Sequence, residues 1–202
     1  AIPFHPNVAV KMIEDICERY VVNENPFQIE KLWRKIYSSG YTQRPDISIS
    51  GVLSAIEIAL WDIVGKELNQ PIYNLLGGKI NDRLRTYTYL YPKPEDKGNV
   101  YQDADLAAQR ALEYQALGFD AVKFDPIGRY TIYDPRDLTL EELDHAENFV
   151  RAIRTAVGKS CDILFGSHGQ MTPSSAIRLA KRIEKFDPMW LEEPTPPANI
   201  TA

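Results

Sequence analysis

The sequence predicts an α/β fold in its second half, either a (β/α) barrel or a doubly wound sheet. After Asn81, short apolar segments alternate with longer amphipathic segments, a pattern typical of strands and helices in turn. The connections are short, which favours parallel strands joined by right-handed crossovers. The first 80 residues differ, because helical periodicity dominates there and no strand pattern is evident.

Four strands and three intervening helices are predicted in the second half. The strands are Leu84–Tyr91, Phe119–Phe124, Cys161–Phe165 and Met189–Leu191, and the helices are Asp103–Leu117, Leu140–Val157 and Pro173–Phe186. This is about half of an eight-unit barrel, and an isolated half-barrel would leave open strand edges. We therefore expect the chain to be part of a longer protein. An open sheet, or two copies that complete each other, are the alternatives.

Three longer helices and one short helical turn are predicted in the first half. The first covers Asn7–Tyr20, and the second opens at Asn25-Pro26 and runs to Gly40. The third begins near Ser48 or Ser50 and ends at about Glu67, with apolar residues repeating every three or four positions. The short turn ends at Gly77-Gly78.

Composition excludes several classes of protein. The 202 residues are 44% hydrophobic and 25% charged, as in ordinary globular proteins, and the net charge of −5 gives no basic face for nucleic acid. No apolar run reaches the roughly 18 residues of a membrane span. Cys17 and Cys161 are interpreted as reduced core residues, which favours a cytoplasmic location.

Polar residues collect where the predicted strands end, and in both α/β architectures this edge carries the chemistry. The second strand ends in Lys123-Phe124-Asp125, His168 follows the third strand, and Glu192 and Glu193 follow the fourth. The chain has no Gly-x-Ser-x-Gly elbow, no Cys-x-x-Cys pair and no phosphate-binding glycine loop. Metal-assisted acid–base chemistry is what remains, with carboxylates for a hard cation and a lysine or histidine to move a proton.

Each of these residues also has a structural interpretation. Lys123 could simply pair with Asp125, and His168 could be a turn residue. Glu192 is harder to explain in this way, because it follows the apolar Met189-Trp190-Leu191 directly and a buried carboxylate needs a cation or hydrogen-bond donors.

Four segments resemble a known family. Ala55–Ile63 and Pro71–Gly78 resemble the end of the capping domain in the mandelate racemase/muconate-lactonizing branch of the enolase superfamily. Ala121–Asp125 resembles its second barrel strand, and Trp190–Pro194 its fourth. The resemblance implies a partial (β/α)8 TIM-type barrel, about its first half, in residues 83–202. The helical part of the N-terminal capping domain would then be residues 1–82.

The resemblance also implies a Mg²⁺-dependent enzyme that abstracts the proton next to the carboxylate of a small-molecule sugar acid. By resemblance Glu192 is a metal ligand, whereas Gly166 stands where the family usually has aspartate. Asp125 replaces the second lysine of the family's Lys-x-Lys motif, and His168 matches the general acid of sugar-acid dehydratases. Lys123, Asp125 and His168 are therefore the predicted catalytic residues. The missing ligand would be supplied by Asp125, His168 or a water.

A dehydratase, hence a lyase, is the first expectation. A racemase, epimerase or cycloisomerase with the same enediolate intermediate is the alternative, as is a non-catalytic relative that has lost its metal. The family also implies a possible homo-oligomer, and we expect no nucleic acid or membrane partner. The 202-residue chain alone is expected to be inactive, because a further ligand would lie beyond Ala202.

Overall fold

The computed structural model describes residues 5–39, 46–127 and 137–199. The chain forms two compact units, Ala1–Arg83 and Leu84–Ala202.

The described residues of the first unit are helical, without a strand. The helices are α1 (Pro6–Tyr20), α2 (Ile29–Tyr37), α3 (Ile47–Glu67) and the short α4 (Ile72–Leu75). Their apolar faces meet in one core, in which Leu32 and Ile36 of α2 are fully buried. The two glycines after α4 have positive φ angles of 115° and 101°, as a left-handed helix end requires.

One predicted helix start in this unit was wrong, and that of α3 lies one residue before the predicted Ser48. Asn25-Pro26 forms a turn, in which the Asn25 side chain accepts from the amide of Phe27 at 2.9 Å, and α2 begins only at Ile29. The predicted end of α2, Gly40, lies outside the described residues. The cap of α3 is Asp46, whose carboxylate accepts from the amides of Ser48 and Ile49 and so satisfies donors that the first turn leaves open.

The helix α3 is apolar enough to pass a composition test for a membrane span, contrary to the sequence-based expectation. The helix has 21 residues, and an 18-residue stretch of it has a mean hydropathy of 1.7. Val52, Ile56, Leu60 and Val64 recur at four-residue intervals and are buried in the unit's core. This is the arrangement of a helix that packs against its neighbours α1 and α2.

Strands and helices alternate in the second unit, as predicted. In chain order the elements are β1 (Thr88–Tyr89), α5 (Ala104–Ala116), β2 (Ala121–Phe124), α6 (Leu140–Val157), β3 (Asp162–Gly166), α7 (Pro173–Ile183) and β4 (Trp190–Glu192). Two 3₁₀ turns follow α7 and β4, at Glu184–Phe186 and Pro197–Asn199.

The four strands form one parallel sheet in the order β1-β2-β3-β4. A sheet that adds each new strand to the same side, through right-handed helical crossovers, places all its helices on one face. This is the construction of a (β/α) barrel, whereas a doubly wound sheet reverses direction at a switch point. The predicted barrel-type fold is therefore confirmed as an open, partial barrel.

The strand boundaries differ from the prediction in ways that matter for the site. The first strand was predicted as Leu84–Tyr91 but pairs only over Thr88 and Tyr89, and Leu84 is 80% exposed. The third and fourth strands both extend one residue further than predicted. Gly166 and Glu192 are consequently the last residues of β3 and β4, and they are partners in the register.

Candidate active site

The candidate site lies at the carboxyl edge of the sheet, where strand register brings distant residues together. Tyr89 of β1 is the register partner of Lys123 of β2, and Gly166 of β3 is the partner of Glu192 of β4. Parallel strands carry their carboxyl ends to one edge, so these four residues share it.

Lys123 and Glu192 form an ion pair across the sheet. The Lys123 Nζ donates to Oε1 at 2.7 Å and to Oε2 at 2.6 Å, so one ammonium group spans both carboxylate oxygens. The Lys123 side chain is only 12% exposed and that of Glu192 39%. The structural alternative of a pair between Lys123 and Asp125 was therefore wrong, since the lysine reaches past β3 to the fourth strand.

Gly166 lies beneath the stem of this lysine. A Cβ atom at Gly166 would be 2.8 Å from Lys123 Cε, closer than carbon atoms approach, and 3.6 Å from Cε1 of His168. The missing side chain is therefore what allows Lys123 to cross β3 toward Glu192. His168 borders the same space, which joins it to the lysine in one site.

One aromatic ring, that of Tyr87 just before β1, contacts the lysine, and a ring of the fourth strand packs against it. The Lys123 Nζ lies 5.7 Å from the centroid of the Tyr87 ring, within the range of a cation–π contact. Trp190 packs edge-on against Tyr87, with 5.6 Å between ring centroids. These contacts restrict the lysine further.

Asp125 and His168 form the second polar pair of the site. Asp125 is 3% exposed, and its Oδ1 accepts from the Ile127 amide at 2.9 Å. Its Oδ2 lies 3.9 Å from Nδ1 of His168, which is close enough for charge attraction but too long for a hydrogen bond. The imidazole is 57% exposed, so one edge faces the carboxylate while the ring stays accessible.

The loop that carries His168 is held against the segment after β4. The Ser167 amide donates to the Glu192 carbonyl at 3.1 Å, and the Gly169 amide donates to that of Glu193 at 2.7 Å. His168 and Glu193 adopt left-handed backbone conformations, with φ of 54° and 44°. Such conformations are uncommon for residues with a side chain and cluster at functional sites.

An open cleft of about 580 Å³ adjoins this loop. It is lined by His168, Gly169, the segment from Glu193 to Pro197, and Asn199. The volume lies within the range of small-molecule sites. The exposed imidazole thus faces a space that a small molecule could enter.

Tyr89 is a site residue that sequence reasoning did not select, although it ends β1. Burial raises the pKa of the Tyr89 hydroxyl far above its ordinary value, and the negative charges of Asp125 and Glu192 raise it further. The hydroxyl therefore remains protonated and can act as a hydrogen-bond donor. The sequence signal for Tyr89 was its place near the end of a short predicted β-strand. A residue there lies at the same edge of the sheet as Lys123, its register partner.

The described residues do not by themselves form a magnesium site. Among residues 5–39, 46–127 and 137–199, no group of three or more His, Cys, Asp or Glu side chains could hold a metal ion. Glu192 has the oxygen donors that Mg²⁺ prefers, but both oxygens accept from Lys123, and Gly166 offers no side-chain ligand. No step of the reaction proposed below therefore passes through a metal.

Two family models match the chain. The N-terminal domain of mandelate racemase/muconate lactonizing enzymes matches residues 5–77, and the enolase C-terminal domain-like model matches residues 105–202.

Curated relatives include two sugar-acid dehydratases. A D-xylonate dehydratase from Haloferax volcanii is 38% identical over 187 residues, which cover 89% of this chain and 43% of the relative. A D-gluconate dehydratase from Thermoproteus tenax is 36% identical over 176 residues, which cover 87% of this chain and 33% of the relative.

Solved structures agree with these matches. The mandelate racemase/muconate lactonizing enzyme from Jannaschia sp. CCS1 superposes with a TM-score of 0.91 at 46% identity, over 98% of this chain and 52% of that one. The chain thus spans less than half the length of these curated relatives and about half the length of this solved structure.

Proposed function

Because the chain belongs to the mandelate racemase/muconate lactonizing enzyme family of the enolase superfamily, we propose that the full-length protein is a sugar-acid dehydratase. Its curated relatives include enzymes named D-xylonate, D-gluconate and D-galactonate dehydratase. The proposed substrate is a small sugar acid with one hydroxyl group on the carbon next to the carboxylate and another on the carbon after it.

The proposed reaction is a β-elimination of water. A base removes the proton from the carbon next to the carboxylate, and the electron pair forms a double bond to the neighbouring carbon. That carbon loses its hydroxyl group, which leaves as water after taking a proton from a general acid. The resulting enol rearranges to a 2-keto-3-deoxy acid, so the atoms balance without an oxidant or reductant.

The pairing of His168 with Asp125 carries this proposal. The Asp125 carboxylate lies 3.9 Å from Nδ1 of His168, so one edge of the imidazole faces the carboxylate while the rest of the ring can donate a proton to a leaving hydroxyl. The ring is exposed beside the cleft, while Asp125 is buried and fixed by the Ile127 amide. We assign His168 as the general acid and Asp125 as the residue that orients it.

Lys123 supplies positive charge rather than a base in this arrangement. It donates hydrogen bonds to both oxygens of Glu192, which is the behaviour of an ammonium group. Preorganised positive charge of this kind stabilises negative charge that develops on the substrate. Tyr89, protonated at the same edge, is a further donor for substrate oxygens.

Magnesium dependence stays a prediction for the full-length protein. Superfamily members generally use Mg²⁺, and Glu192 is the residue of this chain that we propose as a ligand. Glu192 would hold the cation, which would supply positive charge near the substrate carboxylate. A cytoplasmic location and a homo-oligomeric state likewise remain predictions.

A racemase, epimerase or cycloisomerase is the alternative, and the names of the solved relatives favour it. These reactions share proton removal next to the carboxylate but release no water. The alternative from another class is a relative that binds sugar acids without catalysis. It is favoured because Glu192 is the single carboxylate at its register pair, whose other member, Gly166, has no side chain.

A substrate panel separates these possibilities. The full-length protein is incubated with D-xylonate, D-gluconate and D-galactonate, with Mg²⁺ supplied, and 2-keto-3-deoxy acids are quantified with a carbonyl reagent. Carbonyl formation with at least one acid supports the dehydratase. Exchange of the proton next to the carboxylate in D₂O without carbonyl formation supports the isomerase alternative. Binding without either reaction indicates the non-catalytic relative.

A further inference from the structure

Lys123, Gly166 and Glu192 form a cation site in which the lysine side chain itself supplies the cation. We propose that the Lys123 ammonium is the resident cation of Glu192, and that a divalent cation can bind Glu192 only by displacing it. The inference rests on the proposed ligand role of Glu192, but it does not depend on which reaction the protein catalyses.

The first support is the geometry of the ion pair. The Nζ atom lies 2.7 and 2.6 Å from the two oxygens of Glu192. One ammonium group thus engages both oxygens of Glu192 at once. Charge-assisted hydrogen bonds of this length are the stronger kind, and the 12% exposure of the lysine limits competition from water.

The second support is the space above Gly166. Its backbone is outside the left-handed region, so a conformational need for glycine is not the reason for this residue. The reason is steric, because a Cβ would be 2.8 Å from Lys123 Cε. Gly166 and Lys123 therefore act together. Position 166 has no side chain that could bind a cation, and the Lys123 side chain crosses over it with its own positive charge.

The third support is the aromatic contact. The ring of Tyr87, 5.7 Å from the Nζ, contributes attraction for a cation at this position, and Trp190 holds that ring edge-on. The ammonium therefore has two kinds of partner, the carboxylate and the ring. A divalent cation would have to displace it from both.

Two consequences follow from the repulsion between positive charges at one carboxylate. The divalent affinity of the wild-type protein is reduced by the presence of the lysine. By thermodynamic reciprocity, a bound divalent cation weakens the hold on Lys123 by the same factor.

The test measures Mn²⁺ binding to the full-length protein by calorimetry, with Mn²⁺ as the probe cation. Lys123→Met keeps an unbranched stem and removes the charge, and Gly166→Ala displaces the lysine while leaving its charge in place. Both variants are expected to bind Mn²⁺ about two- to fivefold more tightly than the wild type, the value of one partly exposed charge pair. The two substitutions act independently. If one variant misfolds, the Mn²⁺ affinity of the other still tests the proposal.

Two controls locate the effect at Glu192. Lys93→Met removes a lysine whose ion pair with Glu113, at 2.6 Å, lies elsewhere in the same unit, and it should leave Mn²⁺ affinity unchanged. Lys123→Met combined with Glu192→Gln should lose the gained affinity.

Tight binding by the wild type that neither variant improves would overturn the proposal. Failure of every variant to bind Mn²⁺ would overturn it as well, by removing Glu192 as a ligand. The carbonyl assay for dehydration is independent of both results and still decides the proposed function.

Discussion

Replacing His168 by asparagine separates its chemical role from its structural one. His168 adopts a left-handed backbone conformation with φ of 54°, which costs an ordinary residue roughly 1–2 kcal/mol but which asparagine adopts readily. His168→Asn therefore removes the imidazole with little backbone strain, whereas His168→Ala combines both effects.

The expected magnitudes differ enough to be told apart. The exposed imidazole contacts the Asp125 carboxylate only at 3.9 Å, and an exposed pair contributes about 0–1 kcal/mol to stability. A general acid contributes about 10²- to 10⁴-fold to rate, which corresponds to roughly 3–5 kcal/mol of the activation barrier. Dehydration should therefore fall by at least about a hundredfold while the unfolding midpoint changes little.

The assay follows two signals from one sugar acid in D₂O. Formation of the 2-keto-3-deoxy acid reports elimination, and deuterium incorporation next to the carboxylate reports proton removal alone. His168→Asn should lose the first signal and retain the second, because the acid acts on the leaving hydroxyl. Loss of both signals to the same extent would assign His168 to proton removal, and loss of neither would refute the acid role.

Three further predictions concern metal binding, charge burial and packing. Glu192→Gln should weaken Mg²⁺ binding to the full-length protein at least about tenfold in calorimetry, because it removes the charge of the proposed ligand; unchanged binding would refute the ligand assignment. Arg110→Met should lower the urea midpoint at pH 7, since the 2%-exposed guanidinium donates to two carboxylates, Asp96 at 2.6 Å and Glu113 at 2.9 Å. The pKa of Asp96 is lowered mainly by a hydrogen bond from the Lys93 amide, and the pKa of Glu113 mainly by a hydrogen bond from the Lys93 side chain. Arg110 lowers the pKa of both groups further. The stability they add is therefore present above about pH 4 and is lost as pH falls further, so the difference between Arg110→Met and wild type should shrink in acid; a pH-independent difference would contradict this. Phe165→Ala should cost about 3–5 kcal/mol of unfolding free energy, because the ring is fully buried 5.2 Å from that of Phe124; a loss below about 1 kcal/mol would contradict the packing.

The helices of the second unit could be predicted because their ends are encoded locally. The bounds of α6 match the prediction from Leu140 to Val157, with a capping box between Thr139 and Glu142 at its start and Gly158 at its end. Asp103 caps α5 with its side chain, which accepts from the amides of Asp105 and Leu106. These signals depend on residues within one helical turn, so the sequence carries them without help from the rest of the fold.

The strands and the pairing inside the site depend on distant residues and were predicted less well. Whether a residue belongs to β1 is decided by pairing with β2, and only Thr88 and Tyr89 pair. Lys123 and Glu192 are 69 positions apart, and their contact requires both the register of three strands and the missing side chain at Gly166. The sequence predicted that these residues lie at one edge of the sheet, but it could not predict which of them form an ion pair.

The most direct test of the central claim is a proton NMR time course of the full-length wild-type protein with D-xylonate and Mg²⁺ in D₂O. The proposed dehydratase should release water and yield a 2-keto-3-deoxy acid that carries deuterium at the new methylene carbon. Deuterium exchange next to the carboxylate with the hydroxyl groups intact, repeated with D-gluconate and D-galactonate, would contradict dehydration and identify an isomerase.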